Sequence, residues 1–323
     1  MTTTLPVAPT TSPATRAAGV VGGVVGLVVL AGVSMAIGVA DLSWEIVWTS
    51  RLPRTLALVL AGAALAVCGL LLQLLVRNRF VEPSTVGTTE AAGLGLVVVT
   101  LLAPGAPLMA KMGAASVFAL AGTWLFLRVV RMMPVQETIL VPLIGLMLGG
   151  VIAAFTTFLA FHNDLLQTLN SWMTGDFSGI LRGRYELLWI AAVLVAIAFF
   201  TADRFTVAGM GETFSTNVGL DHRKVMGLGL GILSVVSAVV VVTVGMIPFL
   251  GLVVPNVVSA MVGDNARKGL PWVAILGSGL VLVCDIVGRV IRYPYEIPVG
   301  TVMGVLGAAF FLYLLLRRNR RDA

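Results

Sequence analysis

Acidic and basic residues are scarce in this chain. Twenty-one Lys and Arg and fifteen Asp and Glu make up 11% of 323 residues, while 58% are hydrophobic. So few charges cannot cover a water-soluble fold of this length, which excludes an ordinary soluble enzyme. Lysine is rarer still. None of Lys111, Lys224 and Lys268 follows a glycine, so the chain has no Walker A loop, which needs Gly-Lys-Ser or Gly-Lys-Thr. If ATP drives this protein, a separate subunit hydrolyses it. Two cysteines, Cys68 and Cys284, both lie in apolar runs, which excludes a disulfide framework or a cysteine zinc site and leaves them as packing residues. The two histidines, His162 and His222, fall in loops expected on opposite sides of a membrane and cannot share a metal. No metal site and no cofactor are therefore expected. The net charge of +6 reads as membrane orientation rather than as a nucleic-acid partner.

What is abundant is apolar sequence in lengths that suit a bilayer. About 20 apolar residues cross a hydrocarbon core of about 30 Å. Runs 17–40, 55–76, 91–110, 112–127, 138–161 and 187–202 supply six spans. From Val225 to Gly263 no charge occurs, and one helix of that length would be about twice the membrane thickness. Gly245-Met246-Ile247-Pro248 breaks it, because Pro248 lacks an N–H and disfavours helix in the residue before it. Runs 269–292 and 297–316 complete an all-α chain of about ten crossings, with no room for a soluble domain.

The short eighth span, 249–262, decides the topology. If it crosses, and the N-terminus is cytoplasmic, fourteen Lys and Arg lie inside and seven outside; if it does not, the split is 10 to 11. The positive-inside rule selects ten crossings with both termini cytoplasmic. Residues 1–16, rich in Thr and Pro, read as a disordered tail, 17–318 as one transmembrane domain, and 319–323 as a basic tail. Gly38-Val39-Ala40 resembles a signal-peptide cleavage site, but the apolar run before it is long for one.

Few residues carry chemistry. Asp285 lies within a span, with Arg289 one helical turn on, so a local ion pair competes with a proton-relay role. Glu90 near the start of span three is either a pathway carboxylate or a helix-end carboxylate, and Gln73 is a further intramembrane polar group. The longest inner loop, 203–224, carries Gly209, Gly211 and Gly219 punctuating two short helices, with Glu212 and Thr213 placed to start the second. Outside, Arg51 and Arg54 sit beside Trp44 and Trp48. Glycine pairs at helical spacing, 145/149, 227/231 and 300/304, predict close helix packing in lipid.

Taken in order, several runs resemble the vitamin B12 and iron-siderophore permease family of the FecCD type, the membrane subunits of ABC importers. They are Arg51-Leu52-Pro53-Arg54 with Gly62 and Gly69 to Gln73; Arg77-Asn78 with Pro83 and Gly87; Gly219-Leu220; Pro248 to Pro255; Asp285 with Arg289; and Glu296 to Gly300. The resemblance implies a type II importer permease fold of ten helices in a homodimer or heterodimer. It further implies two cytoplasmic ATP-binding subunits and an extracytoplasmic siderophore-binding protein. It implies that Arg51 and Arg289 meet acidic residues of that binding protein, and that Gly211, Glu212, Thr213, Asn217, Gly219, Leu220 and Asp221 couple to the ATPase. Asn256 stands where the family commonly has His, and Glu90 where it has a small or amide residue. Arg79-Phe80-Val81, Gly87 to Glu90, Val262 to Asn265 and Tyr293 to Glu296 are similar to a subgroup importing ferric siderophores of the catecholate or petrobactin type. Heme or cobalamin import, and ion-coupled transport through Asp285 or Glu90, are the alternatives.

Overall fold

A computed structural model describes residues 13–38, 43–132 and 140–319. Residues 1–12 and 320–323, which hold most of the two expected tails, lie outside that range. Among the described residues, fourteen α-helices and one π segment follow in order: α1 (Pro13–Ala36), α2 (Trp44–Ile46), the π segment (Val47–Arg51), α3 (Leu52–Val76), α4 (Thr88–Leu102), α5 (Leu108–Arg131), α6 (Leu140–His162), α7 (Leu166–Met173), α8 (Leu188–Phe200), α9 (Ala202–Gly209), α10 (Glu212–Asn217), α11 (His222–Val244), α12 (Leu250–Val262), α13 (Ala266–Ile291) and α14 (Val299–Asn319). There is no strand among the described residues. Helix is the form that satisfies every backbone N–H and C=O within its own segment, which lipid requires.

Six helical segments are long and apolar enough to cross a membrane, and α8 with α9, bent by 65° at Thr201, makes a seventh if counted as one span. Three shorter apolar helices, α4, α12 and α14, complete the set. Every apolar run in the sequence became a helix, but several boundaries moved. Pro104 and Pro107 end α4 at Leu102 and let α5 start at Leu108, running through Lys111. Cutting helices at charges places that break four to eight residues late, whereas the missing N–H of proline decides it. Similarly, α3 runs back through the π segment to Trp44, so that Arg51 and Arg54 lie in a continuous helix of 33 residues. Helix α1 starts at Pro13, within the stretch expected to be a tail, with proline at the first helical position where its absent N–H costs nothing.

Helix α3 is the axis of the bundle, with Ala57, Leu58, Ala61, Ala64, Ala66, Val67, Cys68, Leu71 and Leu72 wholly buried. Its small residues allow backbones to meet. A Cβ on Gly62 would stand 2.7 Å from the Gly277 carbonyl of α13, and one on Gly69 would stand 2.0 Å from the Gly251 carbonyl of α12. In lipid such approach replaces the hydrophobic drive as the source of specificity. The expected glycine faces behave unequally. Gly145 presses on the Thr85 carbonyl, Gly149 on Gly87, and Gly300 on Gly175 and Met246, whereas a methyl group added at Gly227 or Gly231 would meet nothing within 4 Å. The first three close the bundle; the 227/231 face does not pack within the chain. Both cysteines are buried and unpaired.

The close approach at Gly69 gives a sharp test. Gly69→Val drives a side chain into the α12 backbone and is expected to cost about 3 kcal/mol or more, since milder overpacking already costs about 1–3 kcal/mol. Gly113→Ala on α5, which faces open space, gains helix propensity and is expected to melt at or above wild type. Thermal unfolding in detergent compares them, and equal melting temperatures for Gly69→Val and wild type would refute the packing assignment.

Candidate functional site

The residues singled out by the sequence fall into two groups at opposite ends of the bundle, joined by a buried clamp between them.

At one end, the first turn of α3 meets the last turns of α13 and α1. The Nε and Nη2 groups of Arg54 donate to Asp285 Oδ1 at 3.1 and 2.7 Å, and its Nη1 donates to Glu296 Oε1 at 3.0 Å. Arg289, one turn beyond Asp285 on α13, donates to Asp285 Oδ2. The Asp285 side chain is fully buried, so its charge is tolerated in lipid because two guanidiniums bind it. This is the local pair expected from the i, i+4 spacing, with Arg54 as a third member whose link to it the sequence does not reveal. A carboxylate held by both oxygens is poorly disposed to relay protons.

Arg51 and Arg289 are buried rather than presented outward. Arg51 Nη1 donates to the Met35 and Ala36 carbonyls at 2.6 and 3.2 Å. Arg289 Nη1 donates to the Ser34 and Ile37 carbonyls at 3.0 and 2.6 Å, and its Nη2 to Ser34 Oγ at 2.7 Å. These carbonyls end α1, where the last turn lacks helical donors and carries the negative end of the macrodipole. Two cations therefore cap a helix that is otherwise little buried.

Between the ends lies Glu82, which sequence reasoning missed. It sits in the loop between α3 and α4, is 1% exposed, and accepts from the Phe249 N–H at 2.7 Å and from Ser84 Oγ. Phe249 opens α12 in a left-handed conformation, so the Glu82 carboxylate neutralises the first N–H groups of a helix that begins inside the bundle. Gln73 of α3 donates to the Gly251 carbonyl at 3.2 Å, and Asn256 of α12 donates to the Arg79 carbonyl at 2.8 Å. Together Glu82, Gln73 and Asn256 tie the 77–87 loop and α3 to α12. Glu82 adjoins a proline in an ordinary-looking loop, and only the fold shows which helix it caps. Glu90 lies in the first turn of α4, accepts from Thr89 Oγ1 at 2.9 Å, and faces Gly149 of α6.

At the other end, α9 and α10 form the two short helices expected in the 203–224 loop. Gly211 and Gly219 have φ of 112° and 80°, conformations that L side chains rarely adopt, and they turn the chain before and after α10. Ser215 is buried and donates to the Val207 carbonyl at 3.3 Å, while Leu220 N donates to the Ser215 carbonyl at 2.8 Å. Asp221 caps α11 by accepting from Lys224 N at 3.1 Å. That bond and the Lys224 ammonium hold the Asp221 carboxyl below the usual carboxylate range. Because the folded value is depressed, the cap is fully formed above the ordinary carboxylate range and is lost only as pH falls through the lowered value. Around this frame Met210, Phe214 and Val218 are exposed apolar residues, and Glu212, Thr213, Asn217 and Asp221 are exposed polar ones. A rigid helical knuckle thus projects a mixed surface from the bundle.

A bundle of membrane-length helices with a buried charge cluster at one end and a structured helical knuckle at the other is a multi-pass membrane transport subunit. The solved structure of a metal-chelate type ABC transporter in an inward-facing conformation matches with a TM-score of 0.80 at 23% identity, over 93% of this chain and 99% of that one. This match gives the type II ABC importer permease fold. The FecCD transport family matches residues 16–317, and the chain belongs to that family. Among relatives, the petrobactin import system permease protein YclN of Bacillus subtilis is 46% identical over 91% of this chain and 96% of its own. The ferric-anguibactin transport system permease protein FatD of Vibrio anguillarum is 41% identical over 85% and 88%. The vitamin B12 import system permease protein BtuC of Serratia proteamaculans is more distant, at 33% over 84% and 82%.

The charge cluster makes a stability prediction. Asp285→Ala takes the shared carboxylate from the buried Arg289 and the partly buried Arg54 and is expected to cost about 3–5 kcal/mol. Arg267→Ala, which breaks the exposed pair with Asp203, is expected to cost less than about 1 kcal/mol. Denaturation of both variants in detergent reads the difference, and comparable losses would contradict the buried-cluster assignment.

Proposed function

We propose that this chain is the permease subunit of an ABC importer that moves ferric siderophore complexes across the cytoplasmic membrane. The observation that carries this reading is identity above 40%, over most of the chain, to permeases named for petrobactin and anguibactin import, against 33% to the vitamin B12 permease. The iron remains in its chelate as cargo. Energy comes from two ATP-binding subunits, in keeping with the missing Walker lysine, and the permease works as a pair of identical or paralogous copies.

On this reading ten helices cross, with both termini in the cytoplasm. The α9–α10 knuckle is cytoplasmic, and its exposed Glu212, Thr213 and Asn217 with the Gly211, Gly219, Leu220 and Asp221 frame couple to the ATPase surface. Closure of the ATP-binding subunits pushes this knuckle. The push reaches the α13 start through the Thr206 hydroxyl, which accepts from Ala266 N at 3.1 Å, and through the Arg267–Asp203 pair. From there the Arg79–Asp264 pair, Asn256 and Glu82 tie the motion to α12. Such rigid-body transmission switches a bistable bundle between outward-open and inward-open states.

The Arg51, Arg54, Asp285, Arg289 and Glu296 end faces outward and receives the binding protein, with Arg51 and Arg289 meeting its acidic residues. Because those guanidiniums also cap α1, an arriving carboxylate competes with the α1 carbonyls for them. Charge-assisted bonds to carboxylates are stronger than those to neutral carbonyls, which favours the exchange. Of the intramembrane polar residues, Gln73 and Asp285 are committed to internal partners, which leaves Glu90 as the candidate contact along the path.

Reconstituted vesicles containing the permease, its ATPase and its binding protein test this reading. Uptake of ferric petrobactin is expected to require ATP on the ATPase side and to survive an uncoupler; uptake that collapses with the uncoupler at constant ATP would favour an ion-coupled transporter. Gly219→Val is expected to lower transport per ATP hydrolysed by roughly tenfold or more while the subunits still assemble. Unchanged coupling would reduce the loop to a connector. Replacing Arg51 and Arg289 with Glu is expected to weaken binding-protein capture and to reduce or reverse its salt dependence, read on permease that still assembles with its ATPase, and unchanged capture would overturn the docking assignment.

A further inference from the structure

Gly227, the first of the glycine pair that does not pack, lines a cavity of about 680 Å³ between the end of α5 and the start of α11, and Gly231 follows one turn further along α11. The apolar wall of this space is Leu127, Met132, Met226, Gly227 and Leu230, and its rim carries Arg128, Arg223, His222, Trp124 and Glu212. A methyl group placed on Gly227 or Gly231 would meet nothing within 4 Å, so the missing side chains leave room that the chain itself does not use.

The rim is cationic where the wall is apolar. Arg128 lies 5.6 Å from the centre of the Trp124 ring, and neither Arg128 nor Arg223 makes an ion pair among the described residues. The one carboxylate at the rim, Glu212, belongs to the knuckle and is exposed. Arg223 stands in the first turn of α11, whose N–H groups are capped by Asp221, so the positive charge it brings to the rim is that of its own guanidinium. Of the lining residues, Trp124 and Met132 are exposed apolar side chains. Tryptophan and arginine at a helix end, above an apolar slot, mark the level where hydrocarbon gives way to headgroups.

We propose that this cavity binds an anionic glycerophospholipid. Its phosphate sits between Arg128 and Arg223, which suit bidentate contact with phosphate oxygens, and one acyl chain lies along Gly227 and Gly231. The occupant spans an apolar slot and a cationic rim at once, which a soluble phosphate does not. The site lies beside the knuckle, so a bound lipid wedges α5 against α11 next to Glu212 and His222.

The test uses the importer with its ATPase subunits, held in detergent micelles with equimolar phosphatidylglycerol and phosphatidylcholine and then diluted into lipid-free detergent. Native mass spectrometry counts the lipids retained. Wild type is expected to keep phosphatidylglycerol in preference to phosphatidylcholine. Arg128→Gln with Arg223→Gln is expected to reduce that retention by roughly tenfold or more. Gly227→Leu, which fills the slot and leaves the charges in place, is expected to do the same and guards against a folding defect. Equal retention of the two lipids, or retention unchanged in both variants, would overturn the proposal. So would a cross-link from Gly227→Cys to an ATPase subunit or a second permease, because it would put protein in the slot.

Discussion

The crossing of α3 over α13 at Gly62 and Gly277 is the contact on which the rest of the arrangement depends. A hydrocarbon solvent gives two helices no hydrophobic reason to associate, so the approach of backbone to backbone has to supply both attraction and register. The Ser278 hydroxyl adds a bond to the Val59 carbonyl at 2.8 Å in the same place. Eight residues from this crossing along the two antiparallel helices, about 12 Å along each, stand Arg54 and Asp285, already opposite one another. The glycine crossing therefore sets the ion pair. A slip of one residue on either helix would turn one partner away by about 100°, leaving a buried charge unpaired. That penalty in turn makes the register unique.

From this pair the other elements are positioned in succession. Arg289 follows Asp285 by one turn and, with Arg51, caps the end of α1, holding a helix that has little burial of its own. Farther along α3, Gly69 lets α12 approach so closely that Gln73 reaches the Gly251 carbonyl and Glu82 reaches the Phe249 N–H. An apolar helix of 13 residues that starts inside a membrane bundle needs such a cap, since no water is there to satisfy its first N–H groups. Polar residues at these points tie the 77–87 loop, through α12, and the Arg54–Asp285 cluster to the same helix, α3.

Much of this was legible in the sequence, and the misses have physical causes. Every apolar run formed a helix because lipid-length runs have no other stable form, and the chain breaks between Gly245 and Pro248 because both residues disfavour helix for local reasons. The Asp285–Arg289 pair and the α9–α10 punctuation were also local, set by i, i+4 spacing and by Gly211 and Gly219. What required the fold was long range. Nothing near Arg54 indicates that it meets a residue 231 positions away, nothing near Glu82 indicates that it caps a helix 167 positions away, and nothing in the spacing of Gly227 and Gly231 separates an open face from a packed one. Arg51 and Arg289, expected at an outer mouth, do lie together, but their capping of α1 depends on where a separate helix ends.

If this chain carries a ferric siderophore at the expense of ATP, iron uptake in cells addresses both the cargo and the energy source. The direct measurement is uptake of ferric petrobactin under iron limitation in a strain lacking this permease, in its complemented partner, and in a strain whose associated ATPase has lost its Walker lysine. An ATP-driven siderophore importer predicts that uptake fails in both mutants and returns on complementation. Uptake that persists at the wild-type rate in both would contradict it.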